Sequence, residues 1–195
     1  QEAWLSEENI AGVEYAEKVL SDAREDLLVP GFVRQKIPTV LYHAMFKPLV
    51  PYTFRGLCWY QGEGNSMNPI EYSVLLNRFI TSWRNELEQP ELPFFIIQLS
   101  GYKSPNTTGW PMVQEQQYKV SKELPHVSTV ITYDLGDPDD IHPKNKQDVA
   151  YRLFLAARKK VYKENIVAQG PVFENYTVEG NKVLVSFANT GSGIV

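Results

Sequence analysis

Apolar positions near the start of the chain recur three, four or seven residues apart. Ile10, Val13, Ala16, Val19, Leu20 and Leu27 form this stripe, which predicts an amphipathic helix from about Ser6 to Asp26. Ser6 followed by Glu7 and Glu8 suits its N-terminus, and Pro30-Gly31 ends it. Pro38 to Phe46 reads as a short helix that Pro48 and Pro51 interrupt, and Phe54 to Tyr60 as a buried strand. Asn68-Pro69-Ile70-Glu71 carries helix-start chemistry, an Asn cap with Pro at the first helical position, for a helix to about Glu88. Pro93 to Leu99 is a second strand and Val127 to Tyr133 a third, with a polar loop and a helix from Met112 to about Leu124 between them. His142-Pro143 then opens a long helix to about Lys163, with Val149, Leu153, Ala156 and Ala157 on one face.

Strands separated by helices of this length imply crossover connections and a parallel sheet covered on both faces, so the fold class is α/β in three layers. The period changes near the end of the chain. Val172 to Val178 and Lys182 to Phe187 alternate around Glu179-Gly180-Asn181 as a β-hairpin does. The expected organisation is an α/β body over residues 1–168 and a β segment over 169–195, either a strand pair added to that body or the opening of a further β domain.

With 195 residues, 43% hydrophobic and 22% charged, the chain can bury one good core. Its net charge of −4 gives no electrostatic footprint for nucleic acid or an anionic membrane, and a neutral or weakly charged ligand fits better. No apolar run reaches the length of a membrane span and no basic-plus-apolar leader opens the sequence, so a signal peptide would lie upstream of Gln1. The single cysteine, Cys58, sits in an apolar run and is expected to behave as a small buried hydrophobe. Eleven Tyr and four Trp suit both a core and platforms for sugar rings.

Two constellations carry chemistry. Trp59-Tyr60-Gln61-Gly62-Glu63-Gly64-Asn65 follows the first strand and so should lie at its carboxyl end, where open parallel sheets bind ligands. Gln61 and Asn65 supply side-chain donors, and Gly62 and Gly64 let backbone amides come close to a ligand, the ingredients of an oxyanion hole. The same residues also suit a plain glycine-rich turn. Glu63 is either a solvated loop carboxylate or, if buried beside a histidine, the group that orients it.

The second is Asp134-Leu135-Gly136-Asp137-Pro138-Asp139-Asp140-Ile141-His142-Pro143, between the third strand and the following helix. An acid three residues before a histidine can reach its Nδ1 across a tight turn and leave Nε2 to take a proton from a hydroxyl, and Asp139 and His142 have that spacing. The alternative is an acidic, Ca²⁺-like loop, although Pro138 departs from the regular ligand register. Zinc is poorly served, because His43 and His126 show no paired ligand spacing.

Taken together, these blocks resemble the sialate O-acetylesterase family within the SGNH hydrolases. The resemblance begins at Glu2-Ala3-Trp4-Leu5-Ser6, continues through Pro38 to Met45, and is most specific at Gly56 to Asn65, where the family commonly has Ser in the place of Gly64. Trp83-Arg84, Pro93-Phe94 with Gln98-Leu99, and Gln114-Glu115-Gln116 follow in order, and Ile141 to Gln147 with Tyr151-Arg152 completes it.

The resemblance implies a partial flavodoxin-like α/β/α esterase sheet and a two-step acyl transfer from an O-acetylated sugar, with no metal or organic cofactor. His142 would be the general base, Asp139, Asp140 or Glu63 would orient it, and Gln61, Gly62, Asn65 and Trp59 would bind the oxyanion or substrate. The family nucleophile is the serine of a Gly-Gln-Ser-Asn block near the start of the domain, and neither that block nor the usual Gly-Gly-Thr before Glu2 occurs in this sequence. Ser66 and Ser100 lack a strand-turn-helix nucleophile setting. The expected partner is therefore an N-terminal portion of the same polypeptide, without which residues 1–195 are inactive. An acetylxylan or other glycan esterase, or a catalytically idle carbohydrate-binding module, are the other expectations. Arg34, Arg55 and Arg152 are candidates for a sialate carboxylate and equally for ordinary ion pairs. The family's usual substrates imply a periplasmic, secreted or lysosomal setting.

Overall fold

The structure, a computed structural model, describes residues 1–26 and 37–194; Leu27, Pro30-Gly31 and Arg34 fall outside them. Three short strands, β1 (Leu57–Trp59), β2 (Phe94–Ile97) and β3 (Val127–Val130), pair in parallel in the order β1-β2-β3. All four residues of β2 are buried, as a central strand covered on both faces requires. Helices α3 (Tyr72–Glu86) and α4 (Gly109–Glu123) pack together, with α4 also against β3, and α5 (Lys146–Lys160) packs on β2 and β3. The expected α/β class is the observed one.

The larger core joins Leu75, Leu76, Phe79 and Ile80 of α3 to Phe94 and Ile96 of β2 and to Val113 and Val120 of α4. A smaller cluster of Ile97, Val130 and Val149, flanked by Leu153 and Ala156, seats α5. Alternation along β1 sends Trp59 into the larger core and turns Cys58 the other way. Cys58 is exposed, contrary to the buried position expected, because it belongs to a strand that among the described residues pairs only with β2.

Several element starts differ from the reading of the sequence. The first helix is two, α1 (Glu7–Ile10) and α2 (Glu14–Asp26), broken at Gly12, whose φ of +73° only glycine adopts freely. Pro38 to Phe46 contains a π-helical turn at Tyr42–Phe46 that runs into a 3-10 turn. Asn68 caps nothing; α3 begins at Tyr72, because Glu71 accepts from the Tyr15 amide at 3.2 Å instead of closing a capping box. The last long helix starts at Lys146, three residues past Pro143, because Asn145 takes the cap. Its Oδ1 accepts from the Asp148 amide at 3.2 Å, and its Nδ2 donates to the Asp148 carboxylate at 2.7 Å.

Strands β4 (Val172–Glu179) and β5 (Lys182–Ala188) form a separate antiparallel pair around Gly180, at φ +62°. Tyr176, Val178, Val183, Val185 and Phe187 share one of its faces and are all exposed.

Candidate active site

The loops that leave β1, β2 and β3 lie at one edge of the sheet and are cross-linked there. The Ser100 hydroxyl donates to Thr132 Oγ1 at 3.2 Å, and Thr132 Oγ1 donates to the Gln98 carbonyl at 2.5 Å. Each hydroxyl has one proton, so the 3.3 Å contact between Tyr60 and Ser100 has Tyr60 as donor. The β2 and β3 loops are joined again where the Gly101 amide donates to Tyr133 O at 2.9 Å and the Lys103 amide to Pro138 O at 3.0 Å. Lys146, the first residue of α5, holds its ammonium 5.0 Å from the centre of the Tyr60 ring and ties the His142 segment to the β1 loop.

In the β1 loop, Gln61 O accepts from the Tyr72 hydroxyl at 2.8 Å and from Gln117 Nε2 at 2.9 Å. Tyr72 and Gln117 are fully buried, and burial drives the Tyr72 phenol well above its ordinary pKa, so it is a neutral donor. The Gln61 amide nitrogen donates to Asn65 Oδ1 at 2.8 Å, and Asn65 Nδ2 donates to Glu2 Oε1 at 2.9 Å. Glu63 accepts from the Gly62 amide at 3.0 Å, so that amide is engaged within its own loop. A Cβ on Gly62 would lie 2.9 Å from Val113 Cγ1, which is the close approach that keeps glycine there. Gly64 has open space, enough for the serine that the family commonly carries.

In the β3 loop two of the four aspartates serve backbone amides. Asp137 Oδ1 accepts from the Asp139 amide at 3.0 Å, and Asp140 Oδ1 from the His142 amide at 2.9 Å. His142 is exposed, and its imidazole has no hydrogen-bond partner among the described residues. Asp134 forms a two-pronged pair with Arg152 at 2.6 Å on each prong, which sets Arg152 in an ion pair and holds the Asp134 carboxyl below its ordinary value. Among the described residues, no cluster of three or more His, Cys, Asp or Glu side chains is placed to hold a metal ion.

The structure thus gathers Gln61, Gly62, Glu63 and Asn65 in one loop and Asp139, Asp140 and His142 in another, both at the same sheet edge. Trp59, expected to bind the oxyanion or substrate, is only 8% exposed and packs edge-on to Trp4 and against Phe79. Ser66 is buried, and its hydroxyl is spent on Glu63 O at 2.7 Å. Reading the sequence missed Glu2 and Gln117. Gln117 falls between Val113 and Val120 on the buried stripe of α4, a polar residue at a core position, and that is a usable signal. Glu2 had no such signal.

Residues 35–158 match the profile of the family described as carbohydrate esterase, sialic acid-specific acetylesterase. The chain is 33% identical over 168 residues to the sialate O-acetylesterase of Homo sapiens, covering 76% of this chain and 32% of that protein. Against the sialate O-acetylesterase of Mus musculus it is 35% identical, covering 74% of this chain and 31% of the relative. A carbohydrate acetylesterase from Xanthomonas citri has a similar crystal structure, with a TM-score of 0.79 and 31% identity over 97% of this chain and 41% of its own. The chain spans about a third of the length of the curated relatives it matches. On the profile match and these identities, the chain belongs to the sialic acid-specific acetylesterase family of carbohydrate esterases.

Proposed function

We propose that this chain is the histidine-bearing part of a carbohydrate O-acetylesterase that releases acetate from O-acetylated sialic acid through a serine acyl-enzyme. The observation that carries the reading is that the Gln61–Asn65 loop and the His142 loop leave parallel strands of one sheet at the same edge, with Lys146 over the Tyr60 ring between them, in a chain of this family. The nucleophile is taken to lie on polypeptide outside residues 1–195. In support, the Ser66 and Ser100 hydroxyls are committed to Glu63 O and Thr132 Oγ1, and the relatives are more than twice as long. Residues 1–168 are read as the esterase portion and 169–195 as a β segment beside it.

In this mechanism His142 Nε2 takes the serine proton as Oγ bonds to the acetyl carbon, and the carbonyl electron pair moves onto its oxygen. Gln61, with Gly62 and Asn65 shaping its loop, supplies its second N–H as a donor for that oxygen. Collapse breaks the bond to the sugar oxygen, which leaves with the proton from His142. Water then gives a proton to His142 as it attacks the acyl carbon; the bond to the serine Oγ breaks, Oγ takes the proton back from His142, and acetate is released. Asp139 or Asp140 orients the imidazole once the serine and substrate are in place. Such a substrate puts the protein in a periplasmic, secreted or lysosomal setting; no helix among the described residues is long and apolar enough to cross a membrane.

The test is acetate release from O-acetylated sialic acid by the longer polypeptide that carries the serine. His142→Ala should lower kcat by at least about a thousandfold, the loss that follows removal of a triad member. Hydrolysis that survives this change removes His142 from the mechanism. Acetylxylan belongs in the same assay, because the Xanthomonas citri neighbour is described by carbohydrate alone. A preference for xylan moves the substrate to plant glycans, and sugar binding without acetate release makes the chain a binding module.

A further inference from the structure

Glu2 occupies the 3-10 turn Glu2–Trp4 with only 14% of its side chain exposed. Its carbonyl accepts from the Thr39 amide at 3.1 Å and the Leu5 amide at 3.2 Å, so its backbone is fixed from two sides. Its carboxylate is fixed as well: Oε2 lies 3.0 Å from the Gln1 nitrogen, and Oε1 accepts from Asn65. Oε2 and Oε1 thus both face nitrogen donors, an arrangement that a carboxylate makes and a protonated carboxyl does not.

An ionised carboxylate accepts hydrogen bonds and donates none. Asn65, 5% exposed, must turn its NH₂ toward Glu2, which leaves Oδ1 facing Gln61. Since Oδ1 only accepts, Gln61 must present its nitrogen, as observed at 2.8 Å. One N–H of that nitrogen is spent on Asn65, and the second has no acceptor among the described residues. The reverse sense would set Asn65 Oδ1 against the carboxylate, oxygen to oxygen, at the same short distance.

We propose that Glu2 is a positioning residue: it sets the sense of the Glu2–Asn65–Gln61 hydrogen-bond relay and so holds the Gln61 amide nitrogen as a donor at the carboxyl end of β1. The use of that donor on an acetyl oxyanion rests on the esterase reading; the relay does not. Glu2 touches no reacting atom.

The test has two arms. In the first, side-chain amide NMR on the 195-residue chain follows exchange of the Gln61 N–H that is bonded to Asn65. Glu2→Gln keeps the shape, but its own amide pairs in either sense, so the preference is lost. Protection of that N–H should fall by about tenfold, the worth of one net hydrogen bond. Glu2→Met removes the acceptor and should lower it at least as far. Wild-type shifts and protection in Glu2→Gln overturn the proposal, and that variant is isosteric enough to carry the test should Glu2→Met not fold.

The second arm measures acetate release by the longer polypeptide. Glu2→Gln should reduce kcat by about tenfold with KM changed by less than about twofold, since an oxyanion donor acts in the transition state. A lowered melting temperature with wild-type kcat and amide protection reduces Glu2 to a structural part and overturns the proposal. Lost amide protection with unchanged kcat upholds the relay and overturns the esterase use of Gln61.

Discussion

Gly136 stands in the β3 loop between Asp134 and the run Asp137 to Asp140, and its backbone does not require glycine. Its φ of −75° is one any residue adopts. Its neighbour is the constraint: a Cβ there would lie 1.9 Å from Gly101 O, 2.5 Å from Gly101 N and 2.6 Å from Gly101 C. Gly101 is held in turn, since a Cβ on it would meet Tyr133 O at 2.7 Å. Two glycine backbones therefore lie in direct contact, with the Gly101 and Lys103 amide bonds on either side of the contact.

Gly136→Ala should force the two loops apart by more than about 1 Å to restore ordinary carbon–oxygen contact. Neither of the two backbone hydrogen bonds, at 2.9 and 3.0 Å, survives such a separation. Losing both costs about 2 kcal/mol, and overpacking adds about 1–3 kcal/mol, so the variant should be about 3–5 kcal/mol less stable. Urea unfolding with linear extrapolation reads this as a lower midpoint at unchanged slope. His142 rides on the same loop, and a displacement of this size should cost about a hundredfold in acetate release by the longer polypeptide. Gly64→Ser is the control: nothing lies within 4 Å of its Cβ, and stability should change by less than about 0.5 kcal/mol. A loss below about 1 kcal/mol in Gly136→Ala, no larger than the loss in Gly64→Ser, refutes the contact as the constraint.

Two further outcomes follow from charged groups outside the candidate site. Arg84, 5% exposed, donates from Nε and Nη2 to Leu92 O at 3.0 and 2.9 Å and from Nη2 to Pro125 O at 2.9 Å, fastening α3 to the segments ahead of β2 and β3. Arg84→Met fills the space but leaves both carbonyls without a donor and should cost about 2–4 kcal/mol in urea unfolding; Arg84→Lys lacks the fork, and wild-type stability in it counts against this role. Asp134 is held below its ordinary value by its hydrogen bonds to Arg152, so its contribution is complete above the ordinary carboxylate value and lost as pH falls through the folded one. Asp134→Asn should therefore flatten the acid limb of the stability profile below about pH 4. The pair is largely exposed, so the effect stays under about 1 kcal/mol and shrinks in high salt; an unchanged acid limb would assign the pair no role.

The parts legible in the sequence were those governed by one period at a time. Val113 with Val120, Leu75 with Leu76 and Phe79, and the run Phe94 to Ile97 each commit a face to the core whatever their neighbours do, and the sheet edge followed from them. Helix starts were less legible, because a cap is a competition. Asn68 and Pro143 carry good cap chemistry but lose to Glu71 bonding across to Tyr15 and to the Asn145–Asp148 pair. Cys58 was misassigned because a three-residue strand gives too few alternating positions to say which face is covered. The site itself divides along the same line. Gln61, Asn65 and His142 stand in contiguous blocks, and their neighbourhood is local. Glu2 is 63 positions from the Asn65 side chain it holds, and Gly136 is set by a glycine 35 positions earlier in the chain. Contacts of that separation leave no period and no spacing. They leave only a residue type that looks unremarked where it stands, a carboxylate in a turn or a glycine at an ordinary φ, and its constraint becomes visible when the partner is brought beside it.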